Sequence, residues 1–179
     1  AQMEVKTFDI SQLEEAKAAL KEAFLRDEYD ENYNEWEFAQ RVLQSPGYVP
    51  SLCLTAWQDG RLVGYNILTE AAIGESRGLA LGPLGVRPAY QSQGAGSLLV
   101  EESLRRAKAA GYPWVAVLGG SYYARFGFEP CAPYGITVSE DAFANEHLQI
   151  LFFQEEAKAQ AAGRITYCDA FYDGDGNLL

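Results

Sequence analysis

Two glycines one residue apart, Gly94 and Gly96, stand in the segment QSQGAGS (91–97), directly before the helix-like run LLVEESLRRAKAAG. A helix N-terminus presents backbone N–H groups that lack intrahelical partners, together with the positive end of the helix dipole, and it therefore attracts anions. Glycines at this point remove the Cβ atoms that would hold an anion away from those donors. Two glycines at the start of a helix are therefore typical of a place where a ligand comes close to backbone N–H groups, and an anion bound there needs no basic side chain.

Other phosphate-binding patterns fit this segment less well. A P-loop requires Lys followed by Ser or Thr after its last glycine, whereas here Ser97 follows Gly96 directly. A dinucleotide fingerprint requires a third small residue, where this chain has Leu99. ATP and GTP are therefore disfavoured, and NAD is a weaker alternative. For the two glycines alone, a structural role stays open, in which Gly94 shapes a turn and Gly96 lets the helix approach a sheet.

A longer segment, GPLGVRPAYQSQGAGSLLV (82–100), followed by YYARFGF, resembles the GNAT superfamily of acyl-coenzyme A N-acyltransferases. The pyrophosphate motif of that family is Arg or Gln, two residues, Gly, one residue, and then Gly or Ala. Gln91, Gly94 and Gly96 match its fixed positions. The resemblance is strongest over residues 79–130, and it implies the fold and the cosubstrate of that family.

The resemblance implies an acetyl-CoA site in which the diphosphate lies on a seven-residue loop: Gln91, Ser92, Gln93, Gly94, Ala95, Gly96 and Ser97. In the family, the strand before this loop separates from its neighbour at a bulge, and its exposed main chain pairs with the pantetheine arm. Leu84, Gly85 and Val86 occupy that position, after an interruption of the strand at Gly82–Pro83. Acetyl-CoA is the implied cosubstrate, and no metal is expected.

Acyl transfer from a thioester also needs a proton donor for the departing thiolate. Tyr123, in the aromatic element YYARFGF, matches the donor tyrosine of the family. A phenol with a pKa of about 10 can protonate an alkyl thiolate of similar basicity. Packing is the alternative interpretation of Tyr123, and packing is the role that we assign to Tyr122.

The proton acceptor is harder to assign. Many relatives use a Glu on the fourth strand acting through water, but GLALGPLGVR (78–87) holds no carboxylate. Glu70 is the best remaining candidate, although a Glu at a strand end is more often simply solvated. His147 is the only histidine, and a lone histidine is more often structural or exposed. A water chain, or an amine that arrives already neutral, stays open.

The elements that must position these residues follow from hydrophobic periodicity. Segment 11–25 has the spacing of an amphipathic helix, with Ser11 as its N-cap. Asp59–Gly60 supplies the positive φ angles of a tight turn and predicts a hairpin within residues 51–73. Further strands are predicted in GLALGPLGV, PWVAVLG, GITV, EHLQILFFQ and GRITYCDAFYD, with a helix from about Ala95 to Ala110.

Length and composition fit one globular domain, 1–179, because 48% of the residues are hydrophobic and 22% are charged. No apolar segment is long enough for a membrane span and no leader pattern is present, so we expect a soluble protein. Ala1 and Gln2 precede the only methionine, Met3, and we interpret them as an addition before a native start.

The net charge of −11 repels phosphate backbones and anionic membranes, so neither nucleic acid nor membrane is expected as a partner. The same charge attracts cationic solutes. Cys53, Cys131 and Cys168 lie far apart without CxxC spacing, which favours a reducing cytoplasm over a disulfide framework or a zinc site.

Two acidic segments have alternative interpretations. DGDGN (173–177) resembles a calcium loop, but Leu178 stands where that loop requires Gly, so a frayed tail is favoured. The segment RDEYDENYNEWE (26–37) is interpreted either as a solvated helix face with rings turned to the core, which we favour, or as an acceptor lip for a cationic amine.

Together these features predict an α/β protein with the GNAT fold, a mixed and mostly antiparallel sheet of about seven strands flanked by about four helices. The implied activity is transfer of an acetyl group from acetyl-CoA to a primary amine by direct attack in a ternary complex. A noncatalytic acyl-CoA-binding module and, less favoured, an NAD-binding oxidoreductase are the alternatives. The acceptor is a small-molecule or peptide amine, and either a monomer or a homodimer is compatible with the sequence.

Overall fold

Nine strands form the centre of the protein in a computed structural model that describes residues 3–24, 35–139 and 142–172. They are β1 (Glu4–Thr7), β2 (Tyr48–Gln58), β3 (Arg61–Ile73), β4 (Ser76–Val86), β5 (Trp114–Leu118), β6 (Glu129–Pro130), β7 (Ile136–Thr137), β8 (Leu148–Phe152) and β9 (Gly163–Thr166). The main order is β1-β2-β3-β4-β5-β8-β6, and β9 pairs with both β3 and β7. Only β4–β5 and β7–β9 pair in parallel within the described chain.

This mixed, mostly antiparallel sheet confirms the predicted fold class. Seven of the nine strands were predicted, and β1 and β6 were not. β6 has two residues, which is too short to show an alternating pattern, and β1 has four. Both are held by pairing with longer strands, β2 and β8, rather than by a signal of their own.

The helices are α1 (Leu13–Phe24), α2 (Glu35–Arg41), α3 (Ala95–Ala109), α4 (Ala142–Glu146) and α5 (Ala157–Gln160). The prediction of Ser11 as the N-cap of α1 is wrong, because a 3₁₀ turn, Ile10–Gln12, precedes the helix and is capped by Asp9. The Asp9 carboxylate accepts from the Ser11 amide at 2.9 Å. In the described parts of the chain, no helix is both long enough and apolar enough to cross a lipid bilayer.

The hairpin between β2 and β3 has the predicted turn. Asp59 and Gly60 have φ angles of 54° and 77°, the left-handed values that a two-residue hairpin turn requires. Of the two acidic segments, residues 26–34 and 173–177 lie outside the described residues, and only the end of the first, from Glu35, belongs to a described helix.

α1 and α3 pack on opposite faces of the sheet. Leu20 of α1 is buried with Tyr65 of β3 in one core cluster. Leu99 of α3 is buried with Leu54 of β2 in another. Because successive side chains of a strand point to opposite faces, the same strands supply both clusters. The sheet is thereby fixed between two helices, and α3 is held with its N-terminus beside the end of β4.

β4 separates from β5 partway along its length. The two strands pair over Leu79–Leu81 and Val115–Val117. Over Leu81–Leu84, β4 has one residue more than β3 opposite it, which is a β-bulge. The extra step contains Gly82–Pro83, where the sequence predicted the interruption. β4 then continues to Val86 with β3 as its partner among the described strands, so its other edge faces an opening.

Candidate active site

The N-terminus of α3 is where the sequence predicted an anion site. Gly94 is the N-cap, with a φ of 94° and no side chain to satisfy the helix N–H groups. The amide of Leu98 donates to the Gly94 carbonyl at 3.0 Å, as the first bond of the helix. The amides of Ala95, Gly96 and Ser97 therefore have no partner within the helix, and they point out of its positive end.

A cavity of about 530 Å³ lies in front of these amides. It is lined by Leu84, Val86, Tyr90, Gln91, Ser92, Gly94, Ala95, Gly96, Ser97, Tyr122 and Arg125. The structure thus brings together at one cavity most of the residues that the sequence predicted for cofactor binding.

Two of the predicted cofactor residues do not line this cavity. The Cβ position of Gly85 faces α1, where it would lie 2.9 Å from the Phe24 ring. Gln93 turns back along the loop, and its side-chain amide donates to the Ala89 carbonyl at 3.3 Å. Only main-chain atoms of Gly85 could take part in the predicted pairing with pantetheine, because the residue has no side chain.

Gln91 shapes the loop from within. Its side-chain amide donates to the Val86 carbonyl at 3.0 Å, which ties the loop to the end of β4. Ser92 follows with a φ of 64°, a left-handed conformation that non-glycine residues rarely adopt. Arg87, buried before the loop, donates to the Leu62 carbonyl at 2.8 Å and pairs with Glu22 of α1 at 2.5 Å. These bonds fix the approach to α3.

Tyr122 and Arg125 are functional-site candidates that sequence reasoning missed. The Tyr122 ring packs on Phe126, as predicted, but its hydroxyl lies 3.2 Å from the Ser97 hydroxyl at the cavity. The Arg125 guanidinium stacks over the Tyr122 ring at 4.3 Å. A basic side chain therefore lines the cavity, in addition to the backbone amides that were expected to suffice for an anion. Arg125 follows Tyr122 by three residues, which is one turn of a 3₁₀ helix, and this spacing is the sequence feature that could have identified it.

A second cavity, of about 360 Å³, lies where β4 and β5 separate. It is lined by Phe24, Glu35, Ala80, Leu81, Gly82, Pro83, Leu84, Ala116, Val117, Leu118, Tyr123, Tyr167 and Phe171. Leu84 lines both cavities, so the two adjoin at the open edge of β4. A ligand that extends along this edge can reach from the helix N-terminus into the second cavity.

Tyr123 lines the second cavity from the 3₁₀ helix Ser121–Phe126. Gly119 gives its ring room, because a Cβ at that residue would lie 2.6 Å from Cε2 of Tyr123. The ring meets Phe128 edge to face at 5.9 Å. Burial, and secondarily the neighbouring Tyr122, raise the pKa of Tyr123 to about 12. The hydroxyl therefore stays protonated at neutral and moderately alkaline pH.

Glu35 carries the only charged side chain among the described residues that line the second cavity. It is the first residue of α2 and the end of the acidic segment. Of the rings that the solvated-face interpretation turned to the core, Trp36 is half-buried and packs against the core cluster that contains Leu20, whereas Tyr29 and Tyr33 lie outside the described residues. For Glu35, however, the position favours the acceptor-lip interpretation.

The two candidate bases lie elsewhere. Glu70 is exposed at the level of Leu79, before the strands separate, and it accepts from the Tyr112 hydroxyl at 3.3 Å. It does not line either cavity. His147 precedes β8, and its carbonyl accepts from the Gly119 amide at 2.9 Å. Its side chain is also absent from both linings.

Comparison with known proteins identifies a family, a relative and similar solved structures. The family model for the acetyltransferase (GNAT) family matches residues 12–128. The uncharacterised N-acetyltransferase YjhQ of Escherichia coli K12 is 36% identical over 103 residues. That alignment covers 55% of this chain and 57% of YjhQ, so the match spans little more than half of either protein.

Solved structures share the architecture over nearly the whole chain. The GNAT family N-acetyltransferase YhbS of Escherichia coli, solved in complex with CoA, has a TM-score of 0.84 at 22% identity, covering 99% of this chain and 94% of that one. A GNAT family acetyltransferase from Brucella melitensis, solved in complex with acetyl-CoA, has a TM-score of 0.76 at 26% identity, covering 95% and 98%.

Proposed function

The chain belongs to the GNAT acetyltransferase family, and from this premise we propose that it transfers the acetyl group of acetyl-CoA to a primary amine by direct attack in a ternary complex. The observation that carries the proposal is the pair of cavities that adjoin at Leu84, one at the N-terminus of α3 and one at the opening between β4 and β5. Acetyl-CoA, which carries an anionic diphosphate and a reactive thioester, is a cosubstrate that fits such a pair of cavities.

The diphosphate of CoA would bind at the first cavity. The amides of Ala95, Gly96 and Ser97 supply donors, and the positive end of α3 favours the anion. The guanidinium of Arg125 adds a positive charge at the cavity wall. This local arrangement would allow a protein whose net charge is −11 to bind an anion.

The pantetheine arm would lie along the open edge of β4, over the main chain of Leu84, Gly85 and Val86. Because β5 no longer pairs with β4 beyond Leu81, backbone groups on that edge are available to the amides of the arm. The thioester would then reach the second cavity, beside Tyr123. Bound in this way, the cosubstrate takes the place of a missing strand.

In the proposed reaction, the lone pair of the neutral amine attacks the thioester carbonyl carbon. The C–N bond forms, the C–S bond breaks, and the sulfur leaves with the bonding electron pair. One proton moves, in net terms, from the amine nitrogen to the sulfur. The products are the N-acetylated amine and free CoA, with no group left on the protein.

Tyr123 would act on the leaving sulfur. With a pKa raised to about 12, its hydroxyl is a weaker acid than an ordinary tyrosine, whose pKa is about 10. It would therefore stabilise the developing thiolate chiefly by donating a hydrogen bond, and a proton that it gives up is replaced by the proton that the attacking nitrogen loses as the amide forms. The reaction would gain from this hydrogen bond because the negative charge on sulfur exists only as the C–S bond breaks.

The test is release of free CoA thiol from acetyl-CoA across a panel of primary amines, with acetyl-CoA binding measured in parallel by calorimetry. Acetyl transfer predicts thiol release that depends on both the protein and an amine. Tight binding of acetyl-CoA with no amine-dependent release would instead identify a noncatalytic acyl-CoA-binding module.

A further inference from the structure

From the lining of the second cavity, we infer that the acceptor is a small aromatic amine, whose ring packs against aromatic side chains and whose ammonium binds the Glu35 carboxylate, then releases one proton to solvent before the neutral nitrogen attacks. The inference rests on the proposed acetyl transfer and narrows its acceptor to one chemical class. It depends on three properties of the cavity, which are its aromatic wall, its charge and its size.

The aromatic wall comes from four separate elements. Phe24 ends α1, Tyr123 lies on the 3₁₀ helix after β5, Tyr167 follows β9, and Phe171 lies on the last 3₁₀ turn. The Phe171 ring is held 4.4 Å from Phe38 and 5.0 Å from Tyr167, measured between centroids. Since the rings are packed before any ligand binds, an aromatic ligand loses little free energy in ordering them.

The charge on the described wall of the cavity favours a cationic ligand. Glu35 places a carboxylate on this wall, and the described lining residues include no Lys, Arg or His. Burial raises the pKa of Tyr167, so that side chain stays neutral and adds no negative charge. A second ammonium, as in a polyamine, would meet apolar side chains on the described walls, where an unpaired charge is unfavourable.

The size of the cavity selects a small molecule. Its volume of about 360 Å³ is near the lower end of the range of about 300–1,000 Å³ for ligand pockets. The thioester end of the cosubstrate would occupy part of that space, because Leu84 borders both cavities. What remains suits one ring with a short aminoalkyl chain better than a peptide.

The experiment compares 2-phenylethylamine, spermidine and an alanine-terminated tripeptide as acceptors. Thiol release gives kcat/KM for each, and calorimetry with saturating CoA gives each Kd. We expect kcat/KM for 2-phenylethylamine to exceed that of the other two by about tenfold or more, because it alone combines an aromatic ring for the aromatic wall with an ammonium for Glu35.

Three variants test the role of Glu35. Glu35→Gln should raise the KM and the Kd for 2-phenylethylamine by about tenfold and leave the KM for acetyl-CoA unchanged. Glu35→Asp keeps the charge and should retain more of the affinity. Glu14→Gln removes the same unit of charge from an exposed site on α1, so it separates loss of the local carboxylate from a change in net charge. Glu14→Gln should change neither the KM nor the Kd for 2-phenylethylamine.

The outcomes for the acceptor and for acetyl transfer are distinguishable. Preference for spermidine or the tripeptide, or a Glu35→Gln variant that behaves like Glu14→Gln, would overturn the aromatic-amine assignment while acetyl transfer stands. Selective, Glu35-dependent binding of 2-phenylethylamine without thiol release from any amine would support the ligand class and overturn acetyl transfer. Absence of measurable binding of 2-phenylethylamine would overturn the assignment outright.

Discussion

Tyr122 and Tyr123, neighbours in the sequence, line different cavities, and their rings stand nearly perpendicular, at 84°, with centroids 5.3 Å apart. The Tyr122 hydroxyl lies beside Ser97 at the N-terminus of α3. The Tyr123 side chain faces the opening between β4 and β5. One short 3₁₀ helix thus joins the two halves of the candidate site. Substitutions at these neighbours should have separable effects on cofactor binding and on chemistry.

Tyr123→Phe keeps the ring and removes the hydroxyl. If that hydroxyl assists the departing thiolate, kcat should fall by roughly 10² to 10⁴, with little change in the Kd of acetyl-CoA. The measurement is kcat with a good amine acceptor, alongside the melting temperature and the acetyl-CoA Kd. A kcat within about twofold of the parent would remove Tyr123 from the mechanism and leave it a packing residue.

Gly119→Ala tests the position of the Tyr123 ring without changing that residue. The added Cβ would meet the ring at 2.6 Å, so the ring must move. We expect kcat to fall by roughly tenfold or more, while acetyl-CoA binding changes little, since Gly119 is absent from the lining of the first cavity. An unchanged kcat in a folded variant would show that the position of the ring does not matter.

Gly94→Ala and Gly96→Ala distinguish backbone conformation from close approach. Gly94 has a φ of 94°, which costs a non-glycine residue about 1 kcal/mol or more and would reorient the first amides of α3. We expect acetyl-CoA affinity to fall about tenfold in that variant. Gly96 lies in α3 without a positive φ, and the atom nearest to the added Cβ of Gly96→Ala is the Tyr122 hydroxyl, at 3.0 Å, so its effect should be smaller. Equal calorimetric Kd values for the two variants would contradict this assignment.

Arg125→Gln removes the basic side chain that stacks on Tyr122. The KM for acetyl-CoA should rise by roughly three- to tenfold with kcat unchanged, and the effect should shrink in high salt because the guanidinium is exposed. Arg105→Gln is the matched control, since Arg105 pairs with Glu102 and is absent from the lining of the first cavity. If both variants raise KM equally, the effect belongs to net charge and not to the site.

The alkaline limb of the pH profile tests the burial of Tyr123. The hydroxyl acts in its protonated form, which dominates below the pKa, and that pKa is raised to about 12. With an acceptor that is already neutral at pH 7, kcat/KM should therefore hold steady to about pH 10, whereas a tyrosine of ordinary pKa would be half ionised there. Loss of half the activity near pH 10, with the fold intact by circular dichroism, would contradict the proposed role.

Local signals in the sequence predicted much of the fold. Asp59–Gly60 specified the hairpin turn because a left-handed pair of residues restricts the chain whatever surrounds it. The start of α3 and the bulge at Gly82–Pro83 followed equally from short-range chemistry. The N-cap of α1 did not, since Asp9 and Ser11 are both good caps and the preceding 3₁₀ turn decided between them.

The sequence alone determined the family resemblance and the positions of the candidate anion site and the candidate donor, because the residues involved lie within some 50 positions and obey fixed spacings. The tertiary structure decided which distant residues join them. Glu35, Tyr167 and Phe171 come from α2, the segment after β9 and the last 3₁₀ turn, yet all three line one cavity with Tyr123. Their proximity depends on the order of strands and on helices that cross the sheet, and long-range packing of this kind leaves no periodic signal in a single sequence.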